Sequence, residues 1–172
     1  MNSKFDFSVF LCAESAPQFV NACLAWQFPD GENKVTNNKN EAGIFERGPE
    51  NTAYAQYFVG QSYLNILSKE GVFIGNVTFE PGCRNNWHIH KADKGGGQIL
   101  LCTSGGGWYQ EAGKPAQALK AGDVVKIPAG VKHWHGAAKD SWFAHLAIEV
   151  PGENTSNEWL EPVSDEDYLA LD

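Results

Sequence analysis

Between residues 61 and 150 the chain is a succession of short runs rich in branched and aromatic residues, cut by glycine or proline about every ten positions. Residues 61–67 alternate polar and apolar, as a strand with one buried face does. Residues 71–79 are dense in Val, Ile, Phe and Thr, and similar runs follow at 98–102, 107–111, 116–120, 123–127, 132–135 and 142–150. Pro81-Gly82, Gly95-Gly96-Gly97, Gly105-Gly106-Gly107 and the Gly/Pro-containing stretches 112–115, 121–123 and 128–130 read as turns between them. Many short, evenly spaced strands predict an all-β antiparallel sandwich or barrel. At 172 residues the chain suits one such domain with a sizeable core.

The ends have a different texture. Residues 1–50 read as an N-terminal extension: a short helix capped by Ser15-Ala16-Pro17, then a polar loop over 29–41. Residues 51–172 form the β domain, closed by one short helix that Ser164 would cap ahead of Asp165, Glu166 and Asp167. No apolar stretch approaches the ~20 residues that cross a bilayer. The apolar run 7–13 is too short for a signal core and has Asp6 on its flank. The expected location is therefore cytoplasmic, with no membrane partner. A net charge of −8 without a Lys/Arg cluster argues against a nucleic-acid partner. Cys12, Cys23, Cys83 and Cys102 form no CxxC pair and read as reduced, buried thiols, with a Cys12–Cys23 bridge left open.

All five histidines fall between positions 88 and 145. His88-Ile89-His90 is a His-x-His pair, and on a strand such a pair projects from one face, where one metal ion can bridge both rings. His133-Trp134-His135 repeats the arrangement on a later run. Each pair follows a Pro/Gly turn. Gly82 stands six positions before His88, and Gly105 seven after Gln98; the second set is Gly122, Pro128, Gly130 and His133.

These spacings resemble the two motifs of the cupin superfamily, G-x5-H-x-H-x3–4-E-x6-G and G-x5-P-x-G-x2-H-x3-N. Three positions depart from the pattern. Gln98 replaces the carboxylate ligand, seven residues separate it from His90, and Ala137 replaces the final Asn. Residues 77–82, 132–138 and 144–148 further resemble the small bacterial cupins that act as manganese-dependent hydroxynitrile lyases and also carry a glutamine ligand. The resemblance implies a cupin β-barrel (jelly roll) and metal ligands His88, His90, Gln98 and His133. It also implies substrate-facing or supporting roles for His135 and His145, and a homodimer. Asp93 competes with Gln98 for the oxygen-ligand position.

A set of imidazoles and one amide suits a divalent transition metal, Mn first and Fe, Co, Ni or Zn as alternatives. Neutral ligands leave the cation its full charge and make it a strong Lewis acid. Of the aromatics flanking the motifs, Trp108, Phe143 and Tyr57 are the candidate walls of a pocket for a small organic substrate. The expected function is a metal-dependent, hydroxynitrile lyase-like enzyme. A metal-dependent oxygenase, a non-enzymatic binding module and a metal-free cupin are the alternatives.

Overall fold

The computed structural model describes residues 43–171. The expected helix and loop of residues 15–41, and Cys12 and Cys23, lie outside the described residues. A 3-10 turn (Thr52–Tyr57) precedes thirteen strands: β1 (Phe58–Val59), β2 (Ser62–Ser68), β3 (Ile74–Phe79), β4 (Arg84–Asn85), β5 (His88–Lys91), β6 (Lys94–Gly95), β7 (Gln98–Glu111), β8 (Gln117–Lys120), β9 (Val124–Ile127), β10 (Lys132–Ala137), β11 (Phe143–Glu149), β12 (Gly152–Glu153) and β13 (Ser156–Trp159). A single helix, α1 (Asp165–Leu169), follows. Among the described residues no helix is long and apolar enough to cross a membrane.

The strands make two facing layers of an antiparallel barrel. One layer runs β9-β7-β11-β3-β2. The other runs β13-β5-β10-β7-β8, with β4 and β1 added beside β10. The fourteen-residue β7 belongs to both, pairing with β11 and β9 through its first half and with β10 and β8 through its second. The expectation of a turn at Gly105-Gly106-Gly107 is corrected here, because these glycines lie inside β7. Gly105 has φ +67°, and a Cβ there would lie 1.8 Å from the Trp142 carbonyl oxygen. A glycine kink lets one strand bend from the first layer into the second.

Between the layers lie Val77, Phe79, Leu100, Cys102, Leu119, Val125, Ile127 and Phe143, all buried. Cys83 and Cys102 are free, buried thiols. A smaller cluster of Trp134, Val163 and Tyr168 forms on the outer side of β10. There α1 is tied down: the Tyr168 hydroxyl donates to the Ala137 carbonyl at 2.7 Å, and Arg84 pairs with Asp165. The cap is as the sequence predicts, with the Ser164 side chain accepting from the Asp167 N–H at 3.0 Å. Residues before β1 already engage the barrel. The Glu46 carbonyl accepts from the side-chain amides of Asn65 and Asn76, and Glu50 bridges to Tyr63.

Candidate metal centre

Strand parity aims the histidines. On β5, His88 and His90 are buried while Ile89 is half-buried and Lys91 exposed, so both imidazoles face the barrel interior. His133 on β10 is the register partner of His88. His135 shares its face, and Trp134 between them points outward into the α1 cluster. Ligating atoms of His88, His90 and His133 all lie within 4.8 Å of one another.

The hydrogen bonds around these rings settle which nitrogen carries the proton. His88 Nδ1 is 2.9 Å from the Asn86 carbonyl oxygen, and His133 Nδ1 is 2.9 Å from that of Val131. His90 Nδ1 is 3.1 Å from a Glu149 carboxylate oxygen. Each neighbour accepts, so each Nδ1 carries a proton, and in the neutral ring Nε2 is the nitrogen left with a lone pair. Burial pushes His88 well below the ordinary imidazole value of 6.5, and the neighbouring His133 pushes it further. Burial likewise brings His133 down to about 4. At neutral pH these two rings are uncharged and able to ligate.

Among the described residues the buried Nε2 atoms of His90 and His133 and the buried Oε1 of Gln98 have no hydrogen-bond partner. Buried acceptors left without a donor are costly, and the close grouping of His88, His90 and His133 suits a cation as their shared partner. The residues present therefore fit a divalent metal ion. Gln98 lines the same cavity as His88 and His90. Its rival Asp93 is exposed and accepts from the Asn154 amide at 2.7 Å. The extra residues between His90 and Gln98 are accommodated as a small flap, with β6 pairing β12.

A second pair of imidazoles lies deeper. His145 Nε2 and His135 Nδ1 are 3.1 Å apart. The Asn85 side chain accepts from the His135 backbone N–H at 2.9 Å, and its amide nitrogen lies 3.0 and 3.3 Å from the two ring nitrogens. His135 reaches the cavity. His145 is 0% exposed and stands behind it. Burial, then the proximity of His145, drives His135 well below 6.5, and burial brings His145 to about 4.

The cavity measures about 100 Å3. Its apolar wall includes Phe58, Leu64, Phe73, Val77 and Trp159, and its polar wall Asn85, Asn157 and Glu149. Trp108, Phe143 and Tyr57 are not among the residues that line this cavity. Phe143 is fully buried in the core. Trp108 packs with Trp134 on the outer cluster, because alternate residues of β7 face opposite ways and Tyr109 takes the inner side. Tyr57 stacks on Trp159 at 4.6 Å, one ring removed from the histidines. Trp159 itself stacks on His88 at 4.7 Å. Trp159 and Glu149 carry no local motif. They reach the site only through long-range pairing, β13 with β5 and β11 with β7.

A two-layered antiparallel barrel with imidazoles converging from β5 and β10 defines a β-barrel with a three-histidine group that could hold a metal ion. The comparisons narrow the class. Residues 75–149 match the Cupin domain family model. A 93-residue stretch is 44% identical to an (R)-mandelonitrile lyase from Granulicella tundricola, covering 54% of this chain and 68% of that protein. The solved structure of a cupin-like protein from Thermotoga maritima is 40% identical with a TM-score of 0.64, covering 74% of this chain and 95% of that one. The chain belongs to the cupin family.

Proposed function

We propose that this cupin is a metal-dependent lyase that cleaves small hydroxynitriles, with one divalent cation, manganese first, held by His88, His90, Gln98 and His133. The observation that carries the reading is the grouping of three buried imidazoles, two with an Nε2 that nothing among the described residues satisfies. The 44% identity to a mandelonitrile lyase supports the choice of substrate class.

When bound, the cation would supply Lewis-acid polarisation of a substrate oxygen. The chain's own residues would do the rest. Phe58, Leu64, Val77 and Trp159 would take the organic part of the substrate and keep water from it. His135, neutral at pH 7 and reaching the cavity, would accept the hydroxyl proton on a ring nitrogen. As the carbon–carbon bond breaks, its electron pair leaves with cyanide and the oxygen becomes a carbonyl. Proton return from His135 releases hydrogen cyanide. His145 would hold the His135 ring and share its proton through their 3.1 Å contact.

The test begins with elemental analysis of protein purified without a histidine tag. Cyanide release from mandelonitrile by the manganese-loaded protein follows. His135→Ala should lower kcat about 100-fold or more, the scale of a lost proton-transfer group. Undiminished cyanide release by a His135→Ala, His145→Ala double variant would remove both residues from the chemistry.

A further inference from the structure

The three ligating imidazoles are not held alike. His88 and His133 are each fixed by the backbone carbonyl two residues earlier on their own strand approach. His90 is fixed by a side chain from the opposite layer, the Glu149 carboxylate at 3.1 Å. Glu149 closes β11 as the register partner of Gln98, so the carboxylate and the amide ligand sit side by side across the strand pair. Both line the cavity. The Glu149 side chain is 33% exposed, which leaves it partly desolvated beside a ring that is almost fully buried. Among the described residues it is the one carboxylate in hydrogen-bond contact with a ring of the trio.

Two consequences follow from chemistry. Which nitrogen of a neutral imidazole carries the proton is set by its hydrogen bonds, and an acceptor placed at Nδ1 draws the proton there. A carboxylate in that position also feeds negative charge into the ring and makes its far nitrogen a better donor to a cation. We propose, resting on the metal reading above, that Glu149 is the positioning residue of the centre. It keeps the His90 proton on Nδ1 and sets, one imidazole away, the negative charge that the neutral ligands lack.

The test uses the full chain stripped of metal, with Mn(II) affinity measured by competition against a fluorescent chelator. Long-range proton–nitrogen NMR of the same metal-free protein reads which ring nitrogen of His90 is protonated. Glu149→Gln keeps the shape and an acceptor oxygen but loses the charge, and should bind Mn(II) about 10-fold more weakly; Glu149→Ala should lose up to about 100-fold. In Glu149→Ala the His90 proton should move toward Nε2. Glu153→Gln, on the surface flap beside Lys94, should bind as the wild type does. Should Glu149→Ala fail to fold, the Gln variant carries the affinity test. Wild-type affinity in the Gln variant, or an Nε2-protonated His90 in the wild type, overturns the proposal while leaving the metal reading intact. Absence of stoichiometric Mn(II) binding to the wild type overturns both.

Discussion

A buried imidazole serves a metal only if it stays neutral and turns its lone pair inward. In this chain both conditions come from individual contacts. Carbonyl and carboxylate acceptors behind the rings take the Nδ1 protons, and burial keeps His88 and His133 uncharged. The same burial has a stability consequence. His133 and His145 hold folded values of about 4 against an ordinary 6.5. Between those limits the unfolded chain binds more protons than the folded one, so stability is fully present above pH 6.5 and declines as the pH falls toward 4. Each ring contributes up to about 1.4 kcal/mol per pH unit in that window. Urea unfolding of the metal-free protein at pH 7.5, 5.5 and 4.5 should show the midpoint falling, and the fall should shrink in His145→Gln. A midpoint that is flat across the window would mean these rings are not held neutral.

The grouping of His88, His90 and His133 was legible in sequence because a His-x-His pair on a strand needs only local parity to aim both rings. The place of Gln98 in the cavity wall was legible less securely, since its spacing from His90 is enlarged and Asp93 stood nearer. Glu149 was not legible at all: its contact with His90 spans 59 positions and depends on β11 and β7 being in register.

At the scale of elements, β7 joins the two layers, and its middle must be glycine. The periodicity of branched residues located its two halves, but Gly105-Gly106-Gly107 looks the same in sequence whether the chain turns back or bends onward. The difference lies in what approaches it. Gly105 faces the Trp142 carbonyl and Gly107 the Gly136 carbonyl and the Phe143 ring, contacts that only the folded pairing creates. Gly113, in the turn after β7, has a similar positive φ of +78° but nothing within 4 Å of a Cβ. Gly113→Ala should therefore cost about 1 kcal/mol, the conformational penalty alone. Gly105→Ala should cost several-fold more, because the backbone must move apart to admit the methyl. Denaturant midpoints of the two variants compare them directly. Equal losses would mean that the bend in β7 does not need the close approach. The short strand β13 also escaped the sequence, since Ser-Asn-Glu-Trp has no strand periodicity. It is recruited by pairing with β5, and it brings Trp159 against His88.

For the whole molecule, the site exists only when both layers close. β5 and β10 bring four imidazoles, β7 the Gln98 amide, and β11 both Glu149 and His145. The outer face of β10 is sealed by α1 through Trp134, Val163 and Tyr168, which keeps its inner face packed toward the cavity. The cupin spacings carried this global arrangement into the sequence, because their glycine and proline positions mark where strands end or, at Gly105, where one bends. They did not carry the cavity's walls, which come from strands far apart in the chain. The account therefore rests on a convergence that a crystal grown in Mn(II) can show. Anomalous difference density should give one peak about 2 Å from the Nε2 atoms of His88, His90 and His133 and near the Gln98 Oε1. A metal-saturated crystal with no peak there, or with those rings turned away from a common centre, would contradict it.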